Sequence, residues 1–505
     1  MQHPYQITAL CGSQAFAPEG LLLAACGAKI ISVKLSDGSI VSQWPEQKVD
    51  SSVEATSDGP PGKKRKLEPE STTSPNVIKL ALSADSNHVV AVTDDKSVRV
   101  FEVTEAGKLN QLSERTMPKR PCAVLVTPDN KTILCGDKFG DVYSLPLFPS
   151  ASVDQVEDSS NAEIKEEAGP KKYVPAASTL TVHSGRNRRA LENQMKQKDL
   201  QAKAKEGPKF ECQLLLGHVS MLTDVQFATE EVDGKTRGYI ITADRDEHIR
   251  ISRGAPQAHI IERFCLGHKD FISKICLLQG TDLLISGGGD DWLGVWDWRA
   301  GNLTEKRDMR SALAALFSSQ SSNTSFGSES SIAVSGLWTV PSGTDNKESA
   351  ILVACEKLPC LLISTQGSAS RMVGVPLPGV PLDVAVIGST VIVSMHVTEV
   401  RQSSSSLPSR QSNQSKASTP RLQAYKVCNN ESGMTLELDQ NFGVKLTAAN
   451  NLMLPAPERK QLESLLYGIE NLRKRGAPDE GQDAASEQAI DGATNEMPED
   501  TPLEE

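Results

Sequence analysis

The sequence predicts an all-β fold, a seven-bladed WD-repeat β-propeller with disordered insertions and an acidic C-terminal tail. Residues 214–298 contain two tandem copies of one pattern. Each copy opens with a Gly-His pair, and the pairs Gly217-His218 and Gly267-His268 lie 50 residues apart. Each copy also carries an Asp six residues before the position that a Trp-Asp pair occupies in WD repeats. This period is typical of propeller blades, in which one repeat forms one four-stranded sheet.

Polar residues at matching positions of the two copies predict a hydrogen-bond relay inside each blade. The His precedes the first strand, and the Asp lies in the turn between the second and third strands. Such a relay satisfies buried polar groups, each of which costs about 1–3 kcal/mol when it is left unpaired. We therefore assign structural roles to the following residues: His218 and Asp246 in the first copy, and His268, Ser286, Asp290 and Trp296 in the second.

Fainter copies raise the number of predicted blades to seven. Residues 91–102 have the same turn and strand pattern, and residues 135–144 have it with Phe139 where the Asp is expected. Strand pairs around short turns are predicted at 24–33, 351–356 and 384–393. Seven blades close a ring that leaves only short, protected edges.

The composition divides the chain into three parts. We predict the propeller over residues 1–455, an amphipathic helix over 456–476, and an acidic disordered tail over 477–505. Polar tracts at 46–75, 150–208 and 402–420 are predicted to be disordered insertions. The tail contains ten acidic residues and no Lys or Arg, so it carries nearly all of the formal net charge of −11.

Basic residues are concentrated in two of the insertions. The run Lys63, Lys64, Arg65 and Lys66 is typical of a nuclear import signal, and it predicts a nuclear protein. The alternative is a charged surface loop. Residues 171–209 contain ten Lys or Arg against three acidic residues. This second tract is either a segment that contacts RNA phosphates or a solvated linker.

The sequence lacks the motifs of known catalytic and metal sites. There is no Gly-x-Ser-x-Gly elbow, no His-Glu-x-x-His and no nucleotide-binding fingerprint. The ten cysteines form no Cys-x-x-Cys pair, so we expect no metal site. No stretch approaches 18 apolar residues, and we expect no membrane span. These patterns predict a binding protein and not an enzyme.

Four segments give a closer likeness than that of a general WD repeat. They are Leu-Leu-Gly-His-Val-Ser-Met-Leu-Thr-Asp at 215–224, the segment at 243–252 that contains Ala-Asp-Arg-Asp-Glu-His-Ile-Arg-Ile-Ser, Ile-Ile-Glu-Arg-Phe-Cys-Leu-Gly-His-Lys-Asp-Phe at 260–271, and Lys-Phe-Gly-Asp-Val-Tyr at 138–143. In these segments the chain strongly resembles the non-catalytic WD-repeat subunit of the eukaryotic tRNA (guanine-N7)-methyltransferase. The specific likeness covers about 85 residues, and the C-terminal third matches only in architecture.

The resemblance implies a heterodimer in which this chain is a scaffold. The catalytic partner would bind S-adenosylmethionine and methylate N7 of guanine 46 of tRNA, and this chain would bind no cofactor itself. It would hold the partner in its active conformation and meet tRNA through the complex. The family's basic residue that matches Arg250 reaches an acidic side chain of the methyltransferase. We expect Arg250 on an exposed turn and strand at the rim of the propeller, and the residues expected beside it at this interface are Arg245, Glu247, His248 and Lys269.

Two alternatives remain open at the level of sequence. Arg245 or Arg250 could instead pair with a neighbouring carboxylate of its own chain, which we favour for Arg245 but not for Arg250. The chain could also be a different nuclear WD-repeat adaptor, such as a ubiquitin-ligase receptor or a chromatin scaffold. That class explains the basic run and the acidic tail, but it does not explain the turn sequence at 243–252.

Overall fold

The computed structural model describes residues 7–11, 20–46, 75–149, 189, 210–278, 280–319, 330–342, 348–365, 372–397, 419–430, 433–451 and 466–474. Within these ranges the chain forms seven four-stranded antiparallel sheets, and each sheet contains four consecutive strands. The predicted seven-bladed propeller is therefore confirmed. We number the blades 1 to 7 in chain order.

The strands of blades 1 to 4 are β1 Ile7–Cys11, β2 Leu21–Cys26, β3 Lys29–Lys34, β4 Ile40–Trp44, β5 Val77–Leu82, β6 His88–Thr93, β7 Ser97–Val103, β8 Leu109–Thr116, β9 Pro121–Val126, β10 Thr132–Asp137, β11 Asp141–Pro146, β12 Gln213–Gly217, β13 Leu222–Val232, β14 Lys235–Asp244, β15 Ile249–Arg253 and β16 Ile261–Cys265. Those of blades 5 to 7 are β17 Ile272–Leu277, β18 Leu283–Gly288, β19 Trp292–Asp297, β20 Asn302–Asp308, β21 Val334–Ser342, β22 Glu348–Cys355, β23 Cys360–Thr365, β24 Met372–Pro376, β25 Val380–Ile387, β26 Thr390–His396, β27 Leu422–Asn430 and β28 Gly433–Leu438.

The first strands of the blades form the inner ring, and the core lies between neighbouring sheets. Strands β1, β5, β9, β13, β17, β21 and β25 lie side by side in this order, and β1 returns to β25. Aliphatic residues fill the spaces between the blades; Val90 of β6 and Ile133 of β10, for example, share one buried cluster. Central strands such as β2 are buried along their whole length, because both of their faces pack against another sheet.

Blades 1 and 7 meet without exchanging any of the strands that the structure describes. The last strand, β28, pairs with β27 of its own blade. The junction is instead closed by side chains and by two short helices, α2 Gln440–Lys445 and α3 Thr447–Asn451. Leu446 and Ala449 are buried in one cluster with residues of both blades. The side chain of Asn450 accepts hydrogen bonds from the backbone nitrogens of Arg421 (3.0 Å) and Leu422 (2.8 Å).

A further helix, α1 Met309–Ser319, follows blade 5 and was not among the sequence predictions. Its buried residues are Met309, Ala312, Leu313 and Leu316, which recur at helical spacing. They join the cluster between blades 5 and 6. Asp308 accepts a hydrogen bond from the backbone nitrogen of Ser311 (3.2 Å) and so caps the first turn.

Several sequence predictions fall on residues outside the described ranges. These are the import run Lys63, Lys64, Arg65 and Lys66, the tail at 477–505, and the insertions at 46–75, 150–208 and 402–420 apart from their end residues and Arg189. The predicted helix at 456–476 is described only over 466–474. Leu466 is helical, but the chain then leaves the helix and forms only one 3₁₀ turn, Glu470–Leu472. The prediction of a continuous helix is wrong for this segment.

The junction of blades 1 and 7 gives the first prediction. Gly38 has a φ of +75°, and a β-carbon there would overlap the carbonyl oxygen of Lys445. Gly388 has a φ of +53°, and no atom lies within 4 Å of the place that a β-carbon would take there. Both Ala variants bear a left-handed backbone cost of about 1–2 kcal/mol. Gly38→Ala adds an overlap of about 1–3 kcal/mol.

We therefore expect Gly38→Ala to lower the free energy of unfolding clearly more than the control Gly388→Ala. Urea denaturation of the two variants and the parent measures the difference. Equal losses for the two variants would contradict the closing role of the helices.

Candidate functional site

In blade 5 the structure brings together all the residues assigned to the relay. His268 Nδ1 lies 2.7 Å from Asp290 Oδ2, and His268 Nε2 lies 2.6 Å from Ser286 Oγ. Trp296 donates from Nε1 to the same hydroxyl at 2.7 Å. The imidazole also stacks on Trp292, with ring centroids 4.5 Å apart. Every polar atom of this His is satisfied inside the blade, which leaves it a structural role.

In blade 4 the relay uses Asp244, so the assignment of Asp246 was wrong. His218 Nδ1 lies 3.0 Å from Asp244 Oδ2, and His218 Nε2 lies 2.7 Å from Thr242 Oγ1. Asp244 Oδ1 accepts the backbone nitrogens of Asp246 (2.9 Å) and His248 (3.0 Å). Because Asp244 is the last residue of β14, its carboxylate can cap the turn and face the imidazole at once. Asp246 lies beyond that position, on the exposed side of the turn.

Blade 3 shows what the imidazole contributes. Asp137 ends β10 as Asp244 ends β14, and it accepts the backbone nitrogens of Phe139 (2.8 Å) and Asp141 (3.1 Å). Its second oxygen has no partner among the described residues. Burial is the largest effect on both carboxyls and favours the neutral acid. Burial raises the pKa of Asp137, whereas hydrogen bonds from His218 and the turn outweigh burial and lower the pKa of Asp244.

A pocket of about 420 Å³ lies beside the blade 4 relay. The loop after β12, the turn between β14 and β15, and the end of β16 form its walls. It is lined by Gly217, His218, Val219, Ser220, Asp244, Asp246, His248, Arg250, Phe264 and Leu266. Of the five residues predicted at the interface, His248 and Arg250 reach this pocket.

Arg250 lies in the wall of the pocket and not on an exposed rim as expected. The residue is only 8% exposed. Its Nε donates to Ser252 Oγ (2.9 Å), and its Nη1 donates to the carbonyl of Gly217 (2.8 Å). Burial lowers its pKa. No ion pair to Arg250 is present in the described part of the chain, so its positive charge is held in place without a carboxylate.

The other three predicted interface residues do not line the pocket. Arg245 donates from Nε to the carbonyl of Leu472 (2.8 Å), so its intrachain partner is a distant backbone carbonyl and not the neighbouring carboxylate that was predicted. Glu247 lies 3.1 Å from Lys474 Nζ. Lys269 is exposed, and its backbone nitrogen faces Asp290 of blade 5.

Apolar side chains surround the mouth of the pocket. Val219, Phe264 and Leu266 line it and are exposed. Phe139 is exposed as well, in the turn that packs against the loop of His218 through the hydrogen bond from His218 N to the carbonyl of Gly140 (2.9 Å). Lys119 lies over the Phe139 ring, 4.4 Å from its centroid. Apolar residues around a buried cation are typical of a protein-binding surface.

Sequence reasoning missed most of these residues. The Gly-His pair indicated His218, but no spacing rule distinguishes Asp244 from Asp246 or marks Phe264 and Leu266 as exposed. Among the residues that the structure describes, no group of three or more His, Cys, Asp or Glu could hold a metal ion. Within the same residues, no helix is long and apolar enough to cross a membrane.

The shift from Asp246 to Asp244 gives a second prediction. Asp244→Ala leaves His218 and two turn nitrogens without their acceptor, and we expect it to lower the free energy of unfolding by about 1–3 kcal/mol. Asp246→Ala removes only an exposed ion pair, and we expect a loss of less than about 1 kcal/mol. Chemical denaturation of both variants provides the measurement. A larger loss for Asp246→Ala would restore the original assignment.

Comparison with known proteins adds independent evidence. The family model described as "tRNA methyltransferase TRM82 WD40 domain" matches residues 22–425. The chain is 43% identical over 500 residues to the "tRNA (guanine-N(7)-)-methyltransferase non-catalytic subunit TRM82" of Phaeosphaeria nodorum, with 95% of this chain and 100% of that protein covered. It is 37% identical over 514 residues to the protein of the same name from Aspergillus fumigatus, with 94% and 98% covered.

Among solved structures, the one titled "Structure of U3-55K" is similar, with a TM-score of 0.47, 12% identity, and coverage of 78% of this chain and 89% of that chain. The family model spans most of the propeller, and the two relatives align over nearly their whole length. This chain therefore belongs to the TRM82 WD40 family, and both relatives are named as non-catalytic subunits of tRNA (guanine-N(7)-)-methyltransferase.

Proposed function

We propose that this chain is the non-catalytic scaffold subunit of a heterodimeric tRNA (guanine(46)-N7)-methyltransferase. It binds the catalytic subunit at the pocket beside the blade 4 relay and stabilises that subunit in its active conformation. Membership of the family supports the general role. The observation that carries the site is Arg250, a buried cation without a carboxylate partner in the described chain, facing a pocket with an exposed apolar margin.

The geometry of Arg250 suits an acidic side chain of the partner. Ser252 and Gly217 hold two of its nitrogens, which leaves Nη2 without an acceptor from the described residues. The guanidinium is thus fixed before the partner arrives, and little side-chain entropy remains to be lost on binding. A carboxylate that enters the pocket meets this charge away from water, where a charge-assisted hydrogen bond is strong.

The apolar margin supplies the contact area around this pair. Val219, Phe264 and Leu266 surround the entrance, and a partner that covers them removes their surface from water. Interfaces of this kind keep a well-desolvated centre inside a ring of contacts that exclude solvent. In the proposed complex, S-adenosylmethionine binds to the catalytic subunit alone, and tRNA reaches this chain through the complex.

The third prediction tests this function. The experiment co-expresses the chain with the catalytic subunit of its relatives' methyltransferase. It measures the dissociation constant of the complex of the two chains and the formation of N7-methylguanosine at position 46 of tRNA. Arg250→Met keeps a chain about as long as the apolar stem of Arg and removes the charged guanidinium. Losing one member of a buried charge pair costs about 2–5 kcal/mol, so we expect at least about 30-fold weaker binding.

The matched control is Arg253→Met, on the same strand β15. Arg253 pairs with Glu262 of its own chain and lies outside the pocket, so its loss leaves binding unchanged. Arg250→Met also loses two hydrogen bonds, and thermal melting establishes the temperature at which both variants stay folded. Absence of any complex with the parent chain refutes the proposed function. Normal binding by folded Arg250→Met refutes only the assignment of the site.

We also propose that Lys63, Lys64, Arg65 and Lys66 form a nuclear import signal, which would give the chain a nuclear location. The fourth prediction is that replacing all four by Ala moves a fluorescent fusion out of the nucleus, because import factors bind exposed basic runs. The assay uses cells without the catalytic partner, which could otherwise carry the variant in. Unchanged nuclear fluorescence would make this run an ordinary charged loop.

A further inference from the structure

Residues 466–474, which we call the C-terminal strap, cross one face of the propeller from blade 7 to blade 4. At one end, the Tyr467 hydroxyl bonds to His396, at the end of β26. Next, both carboxylate oxygens of Glu356, in the β22–β23 turn, accept the backbone nitrogens of Ile469 (2.9 Å) and Glu470 (3.0 Å). The strap therefore contacts residues of blades 7 and 6 that lie 71 to 114 positions before it in the sequence.

Arg473 is the central anchor of the strap. Its Nη1 contacts Asp270 and donates to the carbonyl of Gly289 (3.0 Å), and its Nη2 donates to the carbonyl of Ile332 (3.0 Å). The guanidinium also lies 5.5 Å from the ring centroid of Phe271. These contacts with blades 5 and 6 determine where the following residue, Lys474, is placed.

Lys474 reaches the turn that forms one wall of the pocket. Its Nζ lies 3.2 Å from Asp246 Oδ1 and 3.1 Å from Glu247 Oε1. Arg245 of the same turn donates to the carbonyl of Leu472 at 2.8 Å, so side chain and backbone of the strap both hold this turn. Asp246 itself lines the pocket into which Arg250 faces.

The two carboxylates oppose the binding of an acidic group. A carboxylate that enters the pocket towards Arg250 comes near Asp246, which lines the pocket, and near Glu247, the next residue in the chain. Like charges brought together at an interface reduce affinity. Asp244, the other acidic residue of the pocket wall, is engaged by His218. Lys474 is the described cation that pairs with Asp246 and Glu247, and it brings its positive charge from a segment more than 200 residues away.

We propose that the strap is a positioning element of the partner site: Lys474 neutralises Asp246 and Glu247 and so lets an acidic group of the catalytic subunit reach Arg250. This inference rests on the proposed function and adds a specificity determinant to it. A strap lacking Lys474 keeps its anchors at Glu356 and Arg473, so the effect on binding is separable from the effect on folding.

The fifth prediction uses Lys474→Met in the full chain. We expect about 5-fold weaker binding of the catalytic subunit at about 0.05 M salt, mainly through slower association, because rim charges act on the association rate. The loss shrinks to less than about 2-fold at about 0.5 M salt, where screening is strong. Surface plasmon resonance measures both rates, and thermal melting is expected to change little.

The matched control is Lys426→Met. Lys426 is 58% exposed against 54% for Lys474, and it pairs with Asp439 at 3.3 Å, on blade 7 and away from the pocket. We expect its affinity to stay within about 2-fold of the parent. Lys474→Arg keeps the charge and is expected to bind normally.

A triple variant that removes the repelling charges provides the decisive test. Asp246→Asn and Glu247→Gln, added to Lys474→Met, remove the repelling charges and restore affinity to within about 2-fold of the parent. If Lys474→Met binds normally, or if the triple variant stays weak, the neutralising role of Lys474 is overturned while the proposed function stands. If the parent chain fails to bind the catalytic subunit, the proposed function and this inference are overturned together.

Discussion

The closing of the ring is the constraint on which the rest of the structure depends. A blade is stable only when both of its faces are covered, and an open ring would leave the aliphatic faces of blades 1 and 7 in water. No strand is exchanged between these two blades in the described chain, so backbone pairing does not join them. Buried side chains do so together with Leu446, between α2 and α3, and Ala449 of α3. The segment after β28 is thus part of the propeller core.

The polar relays fix the loops and turns at one end of the blades, including those that form the pocket in blade 4. In blade 4, Asp244 fixes His218 and the following turn, while the carbonyl of Gly217, next to that His, accepts a hydrogen bond from Arg250. The residues that stabilise the blade therefore also orient the cation of the proposed partner site. A change in the relay is expected to reach the pocket through this one loop, because packed interiors transmit small shifts.

Charge at the pocket is balanced by parts of the chain that meet only in the folded state. Arg250 is buried and has no carboxylate partner among the described residues, and the acidic turn beside it is paired with Lys474 of the strap. Exposed pairs of this kind contribute little to stability, at about 0–1 kcal/mol. These charges matter more for the local electrostatic potential, which is positive at Arg250 and favours an acidic group there over one at the neighbouring acidic turn.

The sequence by itself determined the seven blades, because one pattern of turn and strand residues recurs at the spacing of a repeat. It also determined the blade 5 relay, where Gly-His, Ser, Asp and Trp occur together, and the family resemblance, which the segments around residues 215–224 and 243–252 carry. The apolar residues 309, 312, 313 and 316 also carried the helical period of α1. Only the tertiary structure decided between Asp244 and Asp246, since the choice depends on where β14 ends. It also decided the burial of Arg250 and the path of the strap. The strap leaves its predicted helix because Glu356 and the blade 4 turn, far away in sequence, offer its polar groups partners that no local pattern encodes.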